Sequence, residues 1–306
     1  FEDRAIELRL ASAQDQRLRW LVGANYYDGE FRANFNGSVI WQVPTVAPMA
    51  APFFATVPSR NIPANRDGEE ATVQALFGSV DFDITDTLTA TAEIRWQKDE
   101  ATLGVPVDAG RPQPSKAEFT DTMPRFIVKY QPTASTNVYL SWSKGVLPGQ
   151  FNAQFINATD FQRQQIQAQF PGVAELAPSQ ELESLELGVK QRLFNDRLEY
   201  SVAVYDMDWT KMLSGSALVV QTSPTNPAPL ILTGVLIPGD SQLRGIEVEG
   251  TALLTDAWDV NLRLDLMDTS YTSFYQPFVS QLTGGTIRWD GNKLPRVPQS
   301  SASLSS

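Results

Sequence analysis

The chain has 306 residues, with 24 Lys and Arg against 35 Asp and Glu, and a formal net charge of -11. This balance argues against nucleic acid as a partner, because phosphate neutralisation requires clustered basic side chains. The chain contains no cysteine and no histidine, which excludes disulfides and thiolate metal sites and removes the commonest general base. Because no phosphate loop, dinucleotide fingerprint or zinc spacing is present, we expect no cofactor and no enzymatic activity.

The first part of the chain alternates between apolar and polar residues. The run 6–10 places its Ile and Leu residues on one face, and after a polar turn at 12–16 a second alternating run covers 18–26. A period of two predicts β-strands. Prolines then recur between 28 and 70, and because proline is excluded from central strands we predict a long loop there.

Three further pairs of alternating runs repeat this plan at 76–96, 125–142 and 246–266, and each pair reverses at a short turn. Between the pairs lie segments rich in Pro, Ser, Gln and Asn. A stretch within one of them, FQRQQIQAQF, predicts a short helix that Pro171-Gly172 would end. The predicted long loops are 28–70, 98–116, 144–180, 212–241 and 271–299.

The clearest pair is 181–209, which reads ELESLELGVKQRLFNDRLEYSVAVYDMDW. One face of both runs is almost purely apolar and the other carries charges, as a wall facing water would. Asn195-Asp196 between the runs is turn chemistry. Trp209 breaks the alternation, and we predict a β-bulge near it.

Two regularities favour an all-β, antiparallel, up-and-down transmembrane barrel with about 10–11 strands. Short and long connections alternate along the chain, as in outer-membrane barrels. The apolar faces are about 9 to 11 residues long, which suffices to cross a bilayer at a tilt. Aromatic residues near both ends of these faces fit two interfacial girdles. The alternative is that they form the core of a β-sandwich. The residues concerned are Trp20, Tyr130, Tyr200 and Trp258 near the short turns, and Tyr26, Trp96 and Trp142 near the long loops.

The charged faces supply the first candidate site. Together they fit a water-filled or plug-filled lumen, because a dry core could not hold so many ions; for each one alone, a solvated strand face is the alternative. Glu247 and Glu249 point the same way, yet a catalytic or calcium role for this pair is disfavoured against simple balance by Lys or Arg. The lumen-facing or plug-facing candidates are Arg95, Arg125, Lys129, Glu186, Lys190, Glu247, Glu249 and Arg263, and Arg9, Arg19, Glu93 and Asp265 share their face.

Aromatic residues in the long loops supply the second candidate site. They fit an external binding site for a ligand with apolar or aromatic surface, and the alternative is that they pack the loops on one another. The candidates are Phe151, Phe155, Phe161, Phe274, Tyr275 and Trp289.

Several segments resemble the barrel of TonB-dependent outer-membrane receptors, in the order found in that family. They are RAIELRLAS, LRWLVGANYYDGEF, FGSVDFDITDTLTATAEIRW, TMPRFIVKYQPTASTNVYLSWSKGVLPGQFN, PSQELESLELGVKQRLFNDRLEYSVAVYDMDW, LRGIEVEGTALLTDAWDVNLRL and GNKLPRVP. The resemblance implies that residues 1–306 are part of a 22-stranded barrel, without its plug and final strands.

The resemblance also implies a location in the outer membrane of a Gram-negative bacterium, in contact with its lipid. It implies active uptake of a scarce nutrient, above all a ferric siderophore, energised by a TonB-type protein through an N-terminal region absent from this sequence. Two alternatives remain open: a passive porin-like channel, and a soluble carbohydrate-binding or hydrolytic β-domain.

Overall fold

The alternating runs form β-strands in the computed structural model of the chain, which describes residues 2–31, 69–103, 115–226 and 229–306. Three short helices lie in the described connections. The strands are β1 Glu2–Ala11, β2 Leu18–Phe31, β3 Glu69–Thr85, β4 Leu88–Leu103, β5 Ser115–Thr133, β6 Thr136–Leu147, β7 Gln150–Phe151, β8 Leu176–Ala177, β9 Gln180–Leu193, β10 Leu198–Gln221, β11 Pro229–Thr255, β12 Trp258–Ser273 and β13 Ser300–Ser305; the helices are α1 Ala153–Ile156, α2 Asp160–Gln169 and α3 Pro277–Thr283.

Eleven strands form one antiparallel sheet in the order β1-β2-β3-β4-β5-β6-β9-β10-β11-β12-β13, and β7 and β8 pair separately. Apart from β7 and β8, each strand lies beside its neighbours in sequence, which is the up-and-down topology predicted from the alternation. Within the described residues β1 and β13 are the edges, and the sheet is open. The prediction of an incomplete antiparallel barrel is confirmed.

The connections at one end of the sheet are all short, as the sequence predicts. We call this the turn end, and the opposite end the outer end. The turn between β9 and β10 contains three residues of positive φ, Phe194, Asn195 and Asp196, whose φ angles are 57°, 56° and 63°. Asn and Asp tolerate this left-handed conformation better than most residues, which explains the turn between β9 and β10.

The apolar face of the sheet is uncovered. Leu8 is 71% exposed, Leu76 59% and Trp258 52%, although side chains of this kind are normally buried in water-soluble proteins. A sandwich would cover this face with a second sheet, but in the described part of the chain the other sheet has only the strands β7 and β8. The exposed face therefore contradicts the sandwich alternative and fits a wall that meets lipid.

The loop predicted at 212–241 is wrong over most of its length. β10 continues to Gln221 and β11 begins at Pro229, and the two pair throughout apart from register shifts. Pro229 is the first residue of its strand, where a missing N–H is tolerated. The β-branched and leucine-rich runs ALVV and LILTGVLI were the overlooked strand signal. Of the other predicted loops, 32–68 and 104–114 lie outside the described residues.

Two local predictions are confirmed. The helix predicted from FQRQQIQAQF is α2, which begins with a capping box between Thr159 and Gln162 and ends at Phe170, next to Pro171. The bulge predicted near Trp209 is a register shift between Trp209 and Met212. Among the described residues, no helix is long and apolar enough to cross a membrane.

Candidate functional site

The face of the sheet opposite the exposed apolar face is called the inner face here. It is polar and is crossed by ion pairs between neighbouring strands. Arg125 Nη1 lies 3.6 Å from Glu93 Oε2, and Arg263 Nη2 lies 2.7 Å from Glu249 Oε1. These pairs follow from the register, which places Glu93 opposite Arg125 and Glu249 opposite Arg263. Glu249 therefore has a counter-charge of its own, as expected for a balanced strand face.

Other lumen candidates lie opposite or next to neutral residues. Arg95 donates from Nε to Gln97 Oε1 at 2.8 Å, and its guanidinium carbon lies 5.9 Å from the ring centroid of Phe77. Lys129 lies opposite Thr89 and Tyr139 in the register. Lys190 lies opposite Asn137 and Ser201.

Three carboxylates come together on the inner face of β9, β11 and β12. Glu247 and Asp265 are directly opposite each other. Glu186 lies on β9, which β10 separates from β11, and it is opposite Tyr205 of β10. Glu186 accepts a hydrogen bond of 2.6 Å from Tyr139 Oη. Like charges directly opposite each other repel. In the described part of the chain, neither Glu247 nor Asp265 forms an ion pair that would offset this repulsion. We call Glu186, Glu247 and Asp265 the inner acidic patch.

A small hydrophobic core lies at the outer end, outside the eleven-stranded pairing. β10 pairs with β9 only up to Thr210, and β11 pairs with β12 only from Asp240 onward. The projecting part, residues 211–221 and 229–239, is called the hairpin extension here. The loop with α1 and α2 packs on it, and the core consists of Phe155, Ala158, Ile166, Phe170, Val173, Leu218, Val220, Val235 and Ile237.

A second, aromatic cluster lies beside this core. Tyr271 and Phe274 are buried and their ring centroids are 4.8 Å apart. Trp289 is only partly buried and lies 5.7 Å from Phe274. Met212 and Trp209 complete the cluster together with Leu294. The partly exposed indole rings of Trp209 and Trp289 are surfaces that an apolar or aromatic ligand could contact.

The structure thus divides the predicted loop aromatics into two kinds. Phe155 and Phe274 are 4% and 2% exposed, so neither is accessible to a ligand. Phe151 in β7, Phe161 on α2, Tyr275 and Trp289 keep part of their surface exposed. Tyr275 contacts Phe170, with ring centroids 5.0 Å apart.

Trp209 is the residue that the sequence interpretation did not include among the candidates. Trp209 lies on the same face as Tyr205, because the pairing of β10 with β9 is unshifted from Leu198 to Thr210. The register shift after Trp209 allows Met212 to join the same cluster, while Lys211 pairs with Glu181 at 2.9 Å. A tryptophan on the otherwise polar face was therefore the available signal. Among the described residues, no group of three or more His, Cys, Asp or Glu side chains is arranged to hold a metal ion.

Comparison with known proteins identifies the family. The profile described as TonB dependent receptor-like, beta-barrel, matches residues 5–306, so the chain belongs to this family of outer-membrane receptor barrels. Membership in a receptor family confirms the expectation that the chain is not an enzyme. No curated protein sequence matches the chain.

Solved structures of low sequence identity share the fold. The ferric yersiniabactin uptake receptor FyuA of Yersinia pestis is 14% identical, with a TM-score of 0.60 over 99% of this chain and 39% of that one. The ferric preacinetobactin receptor BauA of Acinetobacter baumannii is 15% identical, with a TM-score of 0.61 over 99% and 40%. The copper transporter OprC is 13% identical, with a TM-score of 0.58 over 88% and 37%. The chain thus spans about two fifths of the length of these relatives.

Proposed function

We propose that the chain is the barrel wall of an outer-membrane receptor that takes up a metal chelate, above all a ferric siderophore, with energy from a TonB-type protein. The family match supports active transport. The inner acidic patch favours a plugged transporter over a passive channel, because a basic side chain from a plug would offset the repulsion between Glu247 and Asp265, for which the described residues form no ion pair.

Two opposed carboxylates on the inner face, Glu247 and Asp265, form no ion pair among the described residues. Glu247 and Asp265 repel each other across β11 and β12, and the nearby Arg263 is already paired with Glu249. Asn137 Oδ1, on the same inner face, is a buried acceptor without a donor among the described residues, and buried polar atoms normally have partners. A segment that inserts Lys or Arg side chains into the barrel would satisfy these acceptors. In a passive channel they would face water alone.

Ligand capture is assigned to the outer end. Trp209, Trp289 and Tyr275 offer partly exposed rings, and aromatic surface with a few polar groups is the usual lining of small-molecule sites. Of the neighbours named above, one is described as a receptor for ferric yersiniabactin, one as a receptor for ferric preacinetobactin and one as a copper transporter, which supports a metal chelate as the ligand class. Phe151 and Phe161 are retained as further candidates.

The exposed apolar face would contact lipid in the outer membrane of a Gram-negative bacterium. The energy-coupling protein would bind an N-terminal region of the full-length receptor. A water-soluble carbohydrate-binding or hydrolytic domain is disfavoured by the uncovered apolar face.

The test is an uptake assay with the full-length gene product. It is expressed in a bacterium without its own siderophore receptors, and radioactive iron is supplied as a ferric trihydroxamate or a ferric tris-catecholate, with a copper chelate in parallel. We expect uptake that requires the energy-coupling protein. Equal uptake when that protein is deleted would instead establish a passive channel.

A further inference from the structure

Three carboxamide side chains from the outer loops each bond to both backbone groups of a single strand residue. Gln281 on α3 accepts from Val219 N at 2.8 Å and donates to Val219 O at 2.8 Å. The other two pairs repeat this arrangement. They are Gln165 with Gln221, at 2.8 and 3.4 Å, and Asn152 with Leu236, at 3.3 and 3.2 Å.

These contacts occur where the hairpin extension has no neighbouring strand. Val219 and Gln221 lie beyond Thr210, the last residue of β10 that pairs with β9. Leu236 precedes Asp240, the first residue of β11 that pairs with β12. An unpaired strand edge exposes N–H and C=O groups that another chain could pair with. The carboxamides satisfy these groups and take the place of the missing strands.

The same contacts bind two separate loops to the hairpin extension. Gln165 and Asn152 belong to loop 148–179, and Gln281 to loop 274–299. The two loops also meet directly through the rings of Phe170 and Tyr275. In addition, Ser216 Oγ lies 3.1 Å from Gln276 Oε1. Each loop is therefore fixed both by apolar packing and by hydrogen bonds with defined directions.

We propose that loops 148–179 and 274–299 and the hairpin extension form one preassembled receiving unit for the ligand, in which Gln281 is a positioning residue. In this role Gln281 does not contact the ligand itself. It holds loop 274–299, and with it Tyr275 and Trp289, against the hairpin extension. Ordering a loop costs conformational entropy. If the loops are already ordered when the protein folds, this cost does not reduce the affinity for the ligand. The ligand part of this proposal rests on the proposed function.

The experiment compares Gln281→Leu with the unmodified full-length receptor. Leucine keeps most of the volume and removes both hydrogen bonds. We expect amide hydrogen exchange to rise roughly tenfold at 216–221 and in loop 274–299, since two bonds of ordinary strength are lost. For energised uptake of a ferric trihydroxamate or tris-catecholate, KM should rise roughly tenfold with kcat unchanged, because only the binding surface is disordered.

Two further variants separate positioning from general damage. Gln164→Leu is the matched control, because Gln164 is an exposed glutamine on α2 with no side-chain hydrogen bond in the described residues. Gln281→Glu is the conservative test. Near pH 4 a protonated glutamic acid can donate and accept as glutamine does, and near pH 7 its carboxylate cannot donate. Relative to the unmodified receptor at the same pH, its exchange should be close to normal near pH 4 and fast near pH 7.

Unchanged exchange in Gln281→Leu would overturn the proposal, as would fast exchange without a change in KM. A receptor that takes up none of the chelates would refute the proposed function instead, and the exchange measurement would still decide whether Gln281 holds the unit together.

Discussion

The phenol ring of Tyr205 lies directly over Gly245 on the inner wall. The atoms nearest to a Cβ placed on Gly245 are Oη and Cζ of Tyr205, followed by the backbone oxygen of Leu266 at 2.8 Å. Tyr139 covers Gly188 in the same way. Glycine therefore creates a shallow recess that holds each ring flat against the wall, and the ring in turn covers strand backbone that lacks a side chain.

Gly245→Ala should destabilise the barrel. The new methyl group would collide with the ring and with strand backbone, and overpacking of this kind costs about 1–3 kcal/mol. The measurement is the urea concentration at half-unfolding of the full-length receptor in detergent. Gly145→Ala is the control, because the nearest atom to its new methyl group would be 3.9 Å away. Equal midpoints for the two variants would contradict the assigned role of the recess.

Glu247→Gln should loosen the plug that we propose for the full-length receptor. A charge-assisted hydrogen bond contributes about 1.5–3 kcal/mol, and the neutral amide would weaken the attraction for a basic side chain. We expect cells with this variant to become more sensitive to antibiotics that are too large for ordinary porins. Glu118→Gln is the control, since Glu118 pairs with Lys98 at the outer end of β5. If both variants left sensitivity unchanged, the inner acidic patch would not hold a plug.

Phe155→Ala should destabilise the small hydrophobic core at the outer end. Phe155 is 4% exposed and packs with Ile166, and Arg163 lies 5.5 Å from its ring centroid. Truncation of a buried phenylalanine costs about 3–5 kcal/mol. The effect should be local: protease should cleave loop 148–179 faster, while the sheet keeps its resistance to heat in detergent. Normal protease resistance of the loop would show that this core does not hold it.

Trp289→Ala should act on the ligand instead. Trp289 is only partly buried and forms the exposed side of the aromatic cluster, so its removal should weaken binding of the transported chelate roughly tenfold. The dissociation constant is measured by fluorescence quenching with the ferric chelate. Trp20→Ala is a suitable control, since Trp20 lies on the exposed apolar face of the sheet. A similar loss of affinity in both variants would count against a ligand contact at Trp289.

The sequence predicted those features that depend on alternation and turn chemistry. The faces of Leu185, Leu187 and Val189, the turn at Asn195-Asp196 and the bulge after Trp209 are local consequences of side-chain pattern. A pattern of period two also assigns each charge to a face, which is why Glu247 could be placed on the inner wall.

The outer end was less predictable because its contacts join distant segments. Gln281 and Val219 are 62 positions apart, and nothing in a glutamine-rich loop indicates which amide meets which strand. The prolines of 212–241 led to the prediction of a loop, because proline is excluded from central strands. The hairpin extension is nevertheless formed, since proline is tolerated in a strand whose edge is unpaired. Burial of Phe155 and Phe274 likewise depends on packing between loops, and composition alone could not separate them from Trp289.

Acid should release loop 274–299 from its anchor at Asp290. Asp290 Oδ2 accepts from Arg288 Nε at 2.6 Å, and Oδ1 accepts from Phe274 N at 2.7 Å. The bond from Arg288, and then that from the Phe274 amide, lower the pKa of the Asp290 carboxyl below its ordinary value of 3.8.

A lowered pKa in the folded state means that the ionised form is the one stabilised. The contribution is therefore present in full above the unfolded pKa and is lost as the pH falls through the folded one. Hydrogen exchange in loop 274–299, relative to the intrinsic rate, should be constant near neutral pH and rise below about pH 4. In Asp290→Asn, which cannot ionise, exchange should already be fast at pH 7 and lack this rise. If the unmodified receptor showed no rise while its fold persisted, the carboxylate of Asp290 would not anchor the loop.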